Sequence, residues 1–261
     1  MKSFGSYAAI GDSFTEGVGD ELPDGAVRGW ADLVALGLAR AHAASSRAAS
    51  GSAAGDFGYA NLAIRGRLLG PIIDEQLDAA ISLKPDLLSL NGGGNDIMRP
   101  KVSVESVADQ LASAAEKAMA AGIHVLLLSG GNPTNHIPLG ARIEMRGEQL
   151  AVAVRARVPE SDMVTFVDNW SDAELTQLRY WSVDKLHLNA LGHRRVATNI
   201  LTALGVPVPD WGDEVPELRR PGTVAYWRGY VVPWIGRRLT GRSSGDGREP
   251  KRPTLMPVEL P

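Results

Sequence analysis

Across the first 205 residues, short unbroken apolar runs alternate with longer stretches whose apolar residues recur at helical spacing. Tyr7 to Ile10 is a short apolar run that stops at Gly11-Asp12-Ser13. Trp30 to Ala43 carries Leu33, Val34, Leu36, Leu38 and Ala39 on a helical period, which predicts an amphipathic helix. Tyr59 to Ile64 predicts a second strand, and Pro71 to Leu83 a second helix with Ile72, Ile73, Leu77, Ala80 and Ile81 on its apolar face. Asp86 to Leu90 reads as a buried strand ending in a glycine run. Ser103 suits the N-cap of a helix from Val104 to Ala121, although Ser106 stands where a capping box needs Glu. Ile123 to Leu128, apolar but for His124, reads as a strand covered on both faces. Leu139 to Val158 is helical, Met163 to Val167 a strand, and Ala190 to Leu204 a final helix capped by Asn189. Ala39 to Ala54 is rich in Ala and Ser, and its second half predicts a mobile loop.

Five strands with intervening helices predict an α/β domain, a three-layer sandwich around a five-stranded parallel sheet. Such sheets place their sites at the carboxyl ends of the strands. A chain of 261 residues holds one domain of this kind with an extension. The pattern divides it into a domain over 1–205, an aromatic and basic extension over 206–240, and a flexible tail over 241–261, where Gly, Pro and charged residues dominate. Within the extension, Trp227, Tyr230, Trp234 and Ile235 stand among Arg228, Arg237 and Arg238. Three readings of that segment stay open: a cover packed back near the site, peripheral contact with a membrane interface, or a partner surface.

Charge separates the same parts. Residues 221–261 carry seven basic and three acidic side chains, a net of +4, while the other 220 carry 20 basic and 27 acidic, a net of −7. An acidic body argues against nucleic acid as a partner and favours docking of the basic tail. Cysteine is absent, which excludes disulfides and thiolate metal sites and fits a cytoplasmic location. The segment Met1 to Ile10 is too short and polar for a signal peptide, and no run of 18 apolar residues predicts a membrane span.

The chemistry lies where predicted strands end. Ser13 closes the first apolar run, and Asp184-Lys185-Leu186-His187 sets an acid and an imidazole three residues apart near the domain's far end. A serine hydroxyl becomes a nucleophile when a base takes its proton and a carboxylate orients that base. Ser13 could equally cap the following helix, and Asp12 suits a turn-holding hydrogen bond to nearby backbone. The other histidines are His42, His124, His136 and His193. His193 lies six residues beyond His187, but no third ligand stands at matching spacing, so no metal site is expected. Gly241-Arg242-Ser243-Ser244-Gly245 mimics a nucleophile elbow without the flanking strand and helix that one requires. Gly92 to Gly94 lacks the Gly-Lys-Ser/Thr that would follow in a phosphate loop.

Asn61-Leu62-Ala63-Ile64-Arg65-Gly66 and Asn91-Gly92-Gly93-Gly94-Asn95-Asp96 lie between the two ends. With GDSFTEG, NLAIRG, GGND and DKLH in order from Gly11 to His187, the chain resembles the SGNH hydrolases, also called the GDSL esterase/lipase family. The resemblance implies the flavodoxin-like SGNH hydrolase fold and a serine ester hydrolase working through an acyl-enzyme on a small or lipid-like ester, without a cofactor. It assigns Ser13, Asp184 and His187 to catalysis. The backbone N–H groups of Ser13 and Gly66, with the Asn95 side-chain amide, become an oxyanion hole. Acyl transfer by the same residues, or a silent binding module on the scaffold, are the alternatives. Two positions depart from the common pattern: Ala63 where Gly is usual, and Arg65 where a small polar residue is usual. Arg65 therefore reads either as a contact for an acidic substrate or as one half of a surface ion pair.

Overall fold

The computed structural model describes residues 4–50, 56–138, 140–212, 218–233, 236 and 243–260. Its centre is a six-stranded sheet in the order β5-β4-β3-β1-β2-β6. Strands β1 (Ser6–Ile10), β2 (Gly58–Asn61), β3 (Leu87–Leu90), β4 (His124–Leu128) and β5 (Val164–Val167) run parallel. Strand β6 (Arg252–Pro257) joins β2 antiparallel, with Tyr59 opposite Met256 and a bulge before Asn61. The helices are α1 (Ser13–Glu16), α2 (Trp30–Ser50), α3 (Leu69–Pro71), α4 (Asp78–Ser82), α5 (Gly94–Ile97), α6 (Val104–Ala120), α7 (Gly140–Arg155), α8 (Ala190–Ala203) and α9 (Thr223–Tyr226). A π-helical section, Ile72–Leu77, joins α3 to α4, and another, Trp227–Val231, extends α9.

The unbroken apolar strands are explained by their burial on both sides. Tyr7, Ala9, Tyr59, Leu87 and Leu126 face α2 and α8, in a core with Trp30, Val34, Leu38, Val196 and Ile200. Their neighbours Ala8, Ile10, Leu88, Val125 and Leu127 point the other way, into a second core with Ile72, Leu77, Val107, Leu111 and Val154. The chain passes from β1 to β2 by way of α2 on one face, and from β2 to β3 by way of α3 and α4 on the other. These opposed crossovers open a crevice at the carboxyl end of β1, where doubly wound sheets hold their ligands.

Several expectations change in detail. The sheet has six strands rather than five, and the sixth comes from the segment whose composition predicts a flexible tail. An edge strand needs only backbone partners on one side, and it tolerates Pro253 and Pro257 there. Of the mobile loop expected in the second half of Ala39 to Ala54, the part up to Ser50 is instead a continuation of α2, in keeping with the helix propensity of alanine, and residues 51–54 lie outside the described residues. Helix α3 begins two residues before Pro71, which sits in a first turn where its missing N–H costs nothing. Asn189 and Ser103 cap α8 and α6, accepting from the N–H groups of Gly192 (3.1 Å) and Ser106 (3.3 Å). Among the described residues no helix is long and apolar enough to cross a membrane. Trp234, Ile235 and residues 237–242 lie outside the described residues, so the aromatic segment is seen only as far as Pro233 and at Gly236.

Candidate active site

Strand β1 delivers its last residue into a turn that only glycine can make. A Cβ at Gly11 (φ +154°) would strike the Thr15 side chain and lie 2.8 Å from the Asn91 carbonyl. The Gln76 side chain holds Gly11 from the other side, accepting from its N–H at 2.8 Å and donating to its carbonyl at 3.1 Å. Asp12 then caps α1, its Oδ1 accepting from the Phe14 N–H at 3.0 Å, and Ser13 opens the helix. Asp12 thus holds the turn and does not touch His187 through a hydrogen bond.

His187 reaches Ser13 across the crevice. Its Nε2 lies 3.0 Å from Ser13 Oγ, and its Nδ1 lies 2.5 Å from Asp184 Oδ2. The second oxygen of Asp184 accepts from the N–H groups of Leu186 and His187, at 3.0 Å each, and from the Ser182 hydroxyl at 2.6 Å. That wrapping requires a left-handed residue between, and Lys185 supplies it at φ +60°. Burial opposes the charge of Asp184, but the His187 hydrogen bond and imidazolium, with these N–H groups, hold its carboxyl far below the usual carboxylate range. Burial likewise opposes protonation of His187, and the carboxylates of Asp184 and Asp12 outweigh it, so its pKa is raised. His187 is therefore a stronger base than a free histidine.

The second and third motifs close around the same turn. Asn61, fully buried, donates from Nδ2 to the Thr15 carbonyl (3.1 Å) and the Tyr59 hydroxyl (3.0 Å), and it accepts from the Ala63 N–H. Gly66 has φ +73°, and a Cβ there would collide with the Ser243 hydroxyl. Neither the Ser13 nor the Gly66 N–H donates to a protein acceptor among the described residues. The Ser13 N–H is the free donor that every helix start leaves. The Asn95 amide nitrogen donates to Asp12 Oδ2 and to the Arg67 carbonyl, at 3.0 Å each, so both of its protons have partners. Ser13, Asn95 and His187 line one cavity of about 160 Å³, which runs inward between Leu111, Leu128, Leu150, Phe166 and Trp170. Asp184 lies behind His187; Gly66 and Arg65 are not among the cavity walls.

Arg65 directs its guanidinium at Glu16, with Nε 2.9 Å and Nη2 2.5 Å from Oε1, while the Arg65 N–H donates to Oε2 at 2.6 Å. The two side chains are 19% and 9% exposed, which makes this an internal clamp between the first two motifs rather than a surface pair. Glu16, Asn61 and Gln76 were not singled out from sequence. The first two sit inside the motifs themselves, whereas Gln76 is marked only as a polar residue on an otherwise apolar helical face. His193 belongs to the core: Nδ1 accepts from the Trp30 N–H at 3.1 Å, Nε2 faces the Val18 carbonyl at 3.3 Å, and burial pushes its pKa down to about 4. Among the described residues no group of three or more His, Asp or Glu is placed to hold a metal ion.

Burial raises the Asp12 pKa to about 6, against the pull of the Phe14 N–H and the His187 charge. The native state therefore binds the Asp12 proton more tightly than the unfolded chain, whose carboxyl titrates at 3.8. Stability falls as pH rises through that window, by about 3 kcal/mol in full. Asp12→Asn lacks this titration. Its stability relative to wild type is expected to rise by about 3 kcal/mol between about pH 3.5 and pH 7.5, as read by urea unfolding. A difference that stays constant with pH would contradict the assignment.

The fold and the Ser13–His187–Asp184 chain define a hydrolase of the SGNH type. The sequence model of the GDSL-like lipase/acylhydrolase family matches residues 9–195, and the chain belongs to that family. Ester hydrolysis is its class of chemistry. No match by sequence is found among curated proteins. The fold is similar to that of the lipase Lip_vut3 from a goat rumen metagenome, at 18% identity and TM-score 0.54, covering 76% of this chain and 96% of that one. It is also similar to a catalytic mutant of Axe2, an acetylxylan esterase from Geobacillus stearothermophilus, at 18% identity and TM-score 0.57, covering 79% and 97%. A third similar structure is TesA, at 24% identity and TM-score 0.53, covering 76% and 97%.

Proposed function

We propose that this chain hydrolyses uncharged carboxylic esters through an acyl-enzyme on Ser13. The observation that carries this reading is the unbroken hydrogen-bond chain from Ser13 Oγ through His187 to Asp184 at the mouth of an apolar cavity. Ser13 Oγ attacks the ester carbonyl as His187 Nε2 takes its proton. Asp184 accepts the Nδ1–H and stabilises the imidazolium. His187 then gives the proton to the leaving alcohol oxygen as the C–O bond breaks. Water, deprotonated by the same nitrogen, releases the acid and restores Ser13.

The free N–H groups of Ser13 and Gly66 are suited to the developing oxyanion, each such donor being worth about 10²–10³ in rate. Asn95 joins them by turning one amide proton away from Asp12 or sharing it. The apolar walls favour an alkyl acyl chain inside the cavity, and the clamp on Glu16 leaves Arg65 little capacity for an anionic substrate. The test is hydrolysis of p-nitrophenyl esters from acetate to palmitate by wild type and Ser13→Ala. Activity in the wild type that vanishes in the variant supports the reading; background rates in both across the series overturn it.

Asp184 acts only through His187, so its loss is milder than that of the serine. Asp184→Ala is expected to lower kcat by about 10²–10⁴ while leaving more activity than Ser13→Ala. It also removes the largest support for the His187 proton. The acid limb of its kcat/KM profile is therefore expected at lower pH than in wild type. A limb that stays in place, or moves upward, would contradict the coupling.

A further inference from the structure

The cavity that touches Ser13 has a neighbour. A second hollow, of about 110 Å³, is walled by Tyr226, Tyr230 and Val231 of the α9 segment and by Ile137, Leu186 and the Asp184–His187 pair. Ile137, Leu186 and His187 are shared with the first cavity, so the two meet at the imidazole. Ser13 and Asn95 line only the first. The three α9 residues lie beyond residue 195, where the match to the family model ends.

The α9 wall is fastened to the site. Tyr226 is buried and donates from its hydroxyl to the Asp184 carbonyl at 3.2 Å. The Lys185 ammonium sits 4.4 Å from its ring centroid, and the Tyr230 ring lies 5.9 Å away. Val231 is also buried. Resting on the proposed function above, the positions of the two hollows give them separate tasks. The acyl carbon bonds to Ser13 Oγ, so the acyl chain occupies the first cavity. The leaving oxygen takes its proton from His187 Nε2, so the group it carries lies on the imidazole side. We propose that the hollow built by α9 is the binding site for the alcohol portion of the ester, selecting an uncharged apolar alcohol about the size of a six-membered ring. The hollow is somewhat smaller than the apolar cavity of about 150 Å³ that takes up benzene, and Tyr226, Tyr230, Val231 and Ile137 offer aromatic and aliphatic surface to a benzyl or branched alkyl group.

The test separates the two halves of the substrate. Benzyl and methyl butanoates share an acyl group, and their alcohols are of similar basicity; methyl acetate and methyl hexanoate vary the acyl chain alone. Wild type is expected to favour benzyl over methyl butanoate in kcat/KM. Tyr230→Ala is expected to reduce that ratio about tenfold, the scale of apolar pocket contacts, without changing the hexanoate to acetate ratio. Among the described residues a Cβ at Gly229 meets no atom within 4 Å, so Gly229→Leu can narrow the hollow from its rim, and the same loss of the benzyl ratio is expected. A wild type indifferent to the alcohol, or variants that keep the wild-type benzyl ratio, would overturn the proposal. A shift of the acyl ratio in step with the benzyl ratio would overturn it as well, since the hollow would not then belong to the alcohol. Wild type without activity on any of the four esters, or activity that survives Ser13→Ala, would remove the ester-hydrolase reading itself, and this inference with it.

Discussion

Replacing Ser13 by alanine is expected to lower kcat/KM on short p-nitrophenyl esters by about 10⁴–10⁶. The hydroxyl is 3.0 Å from His187, the one imidazole that lines the cavity among the described residues, and that imidazole is held by a half-buried carboxylate with three further donors. No other hydroxyl at the cavity shares this arrangement: Ser129, also on its wall, donates to Asp168 at 3.0 Å and accepts from the Trp170 N–H. Stability should change little, because Ser13 lends α1 no side-chain hydrogen bond beyond the one to His187 and Asp12 provides the cap. A loss of activity with an unchanged melting midpoint is the expected pair of results. Residual activity within about tenfold of wild type would mean that the chemistry lies elsewhere.

The second large effect concerns stability and originates at the far end of the chain. Lys251 sends its ammonium to the Glu16 carbonyl, to the Val27 carbonyl at 3.1 Å and to Asp32 Oδ2 at 2.7 Å, using all three protons. Glu16 closes α1 and clamps Arg65, so one tail residue ties down the helix that begins with Ser13. Lys251→Met keeps the apolar stem and strands a half-buried carboxylate with two carbonyls. The expected cost is about 2–3 kcal/mol, a fall of about 5–10 °C in thermal midpoint. Removing residues 243–261 also uncovers the edge of β2 and is expected to cost more. A midpoint within about 1 °C of wild type for Lys251→Met would show that this anchor contributes nothing.

Much of the parallel sheet can be read from the sequence because strands covered on both faces must be apolar throughout. Leu87 to Leu90 and His124 to Leu128 show that pattern except at Ser89 and His124, whose polar atoms pair with Tyr7 and Thr165. Strand β6 shows the limit of such reading. Only one of its edges pairs, and its side chains are mostly exposed, so Arg252 to Pro257 carries neither an apolar run nor a clear alternation. Its place follows from the unpaired edge of β2, which is a property of the assembled sheet.

The candidate site divides in the same way. Ser13 is visible as a residue type at a strand end and Asp184 and His187 as an acid and an imidazole in one loop, and local spacing dictates the Asp184–His187 hydrogen bond. The clamp between Glu16 and Arg65 spans two motifs and needs the fold to bring them together. So does the pairing of Asn95 with Asp12, which binds the third motif to the first. The decoy pattern at 241–245 has a part of its own: among its described residues, the Ser243 hydroxyl donates to the Arg65 carbonyl at 3.3 Å, packing the tail against the Gly66 turn.

The central claim, that Ser13 is the nucleophile activated by His187, is tested most directly by covalent trapping. The full chain is incubated with a fluorophosphonate, its intact mass is measured, and the modified peptide is sequenced. A single adduct on Ser13 is expected, lost in Ser13→Ala and formed far more slowly in His187→Ala. Wild-type protein that hydrolyses esters yet takes up no adduct, or carries it on another residue, would contradict it.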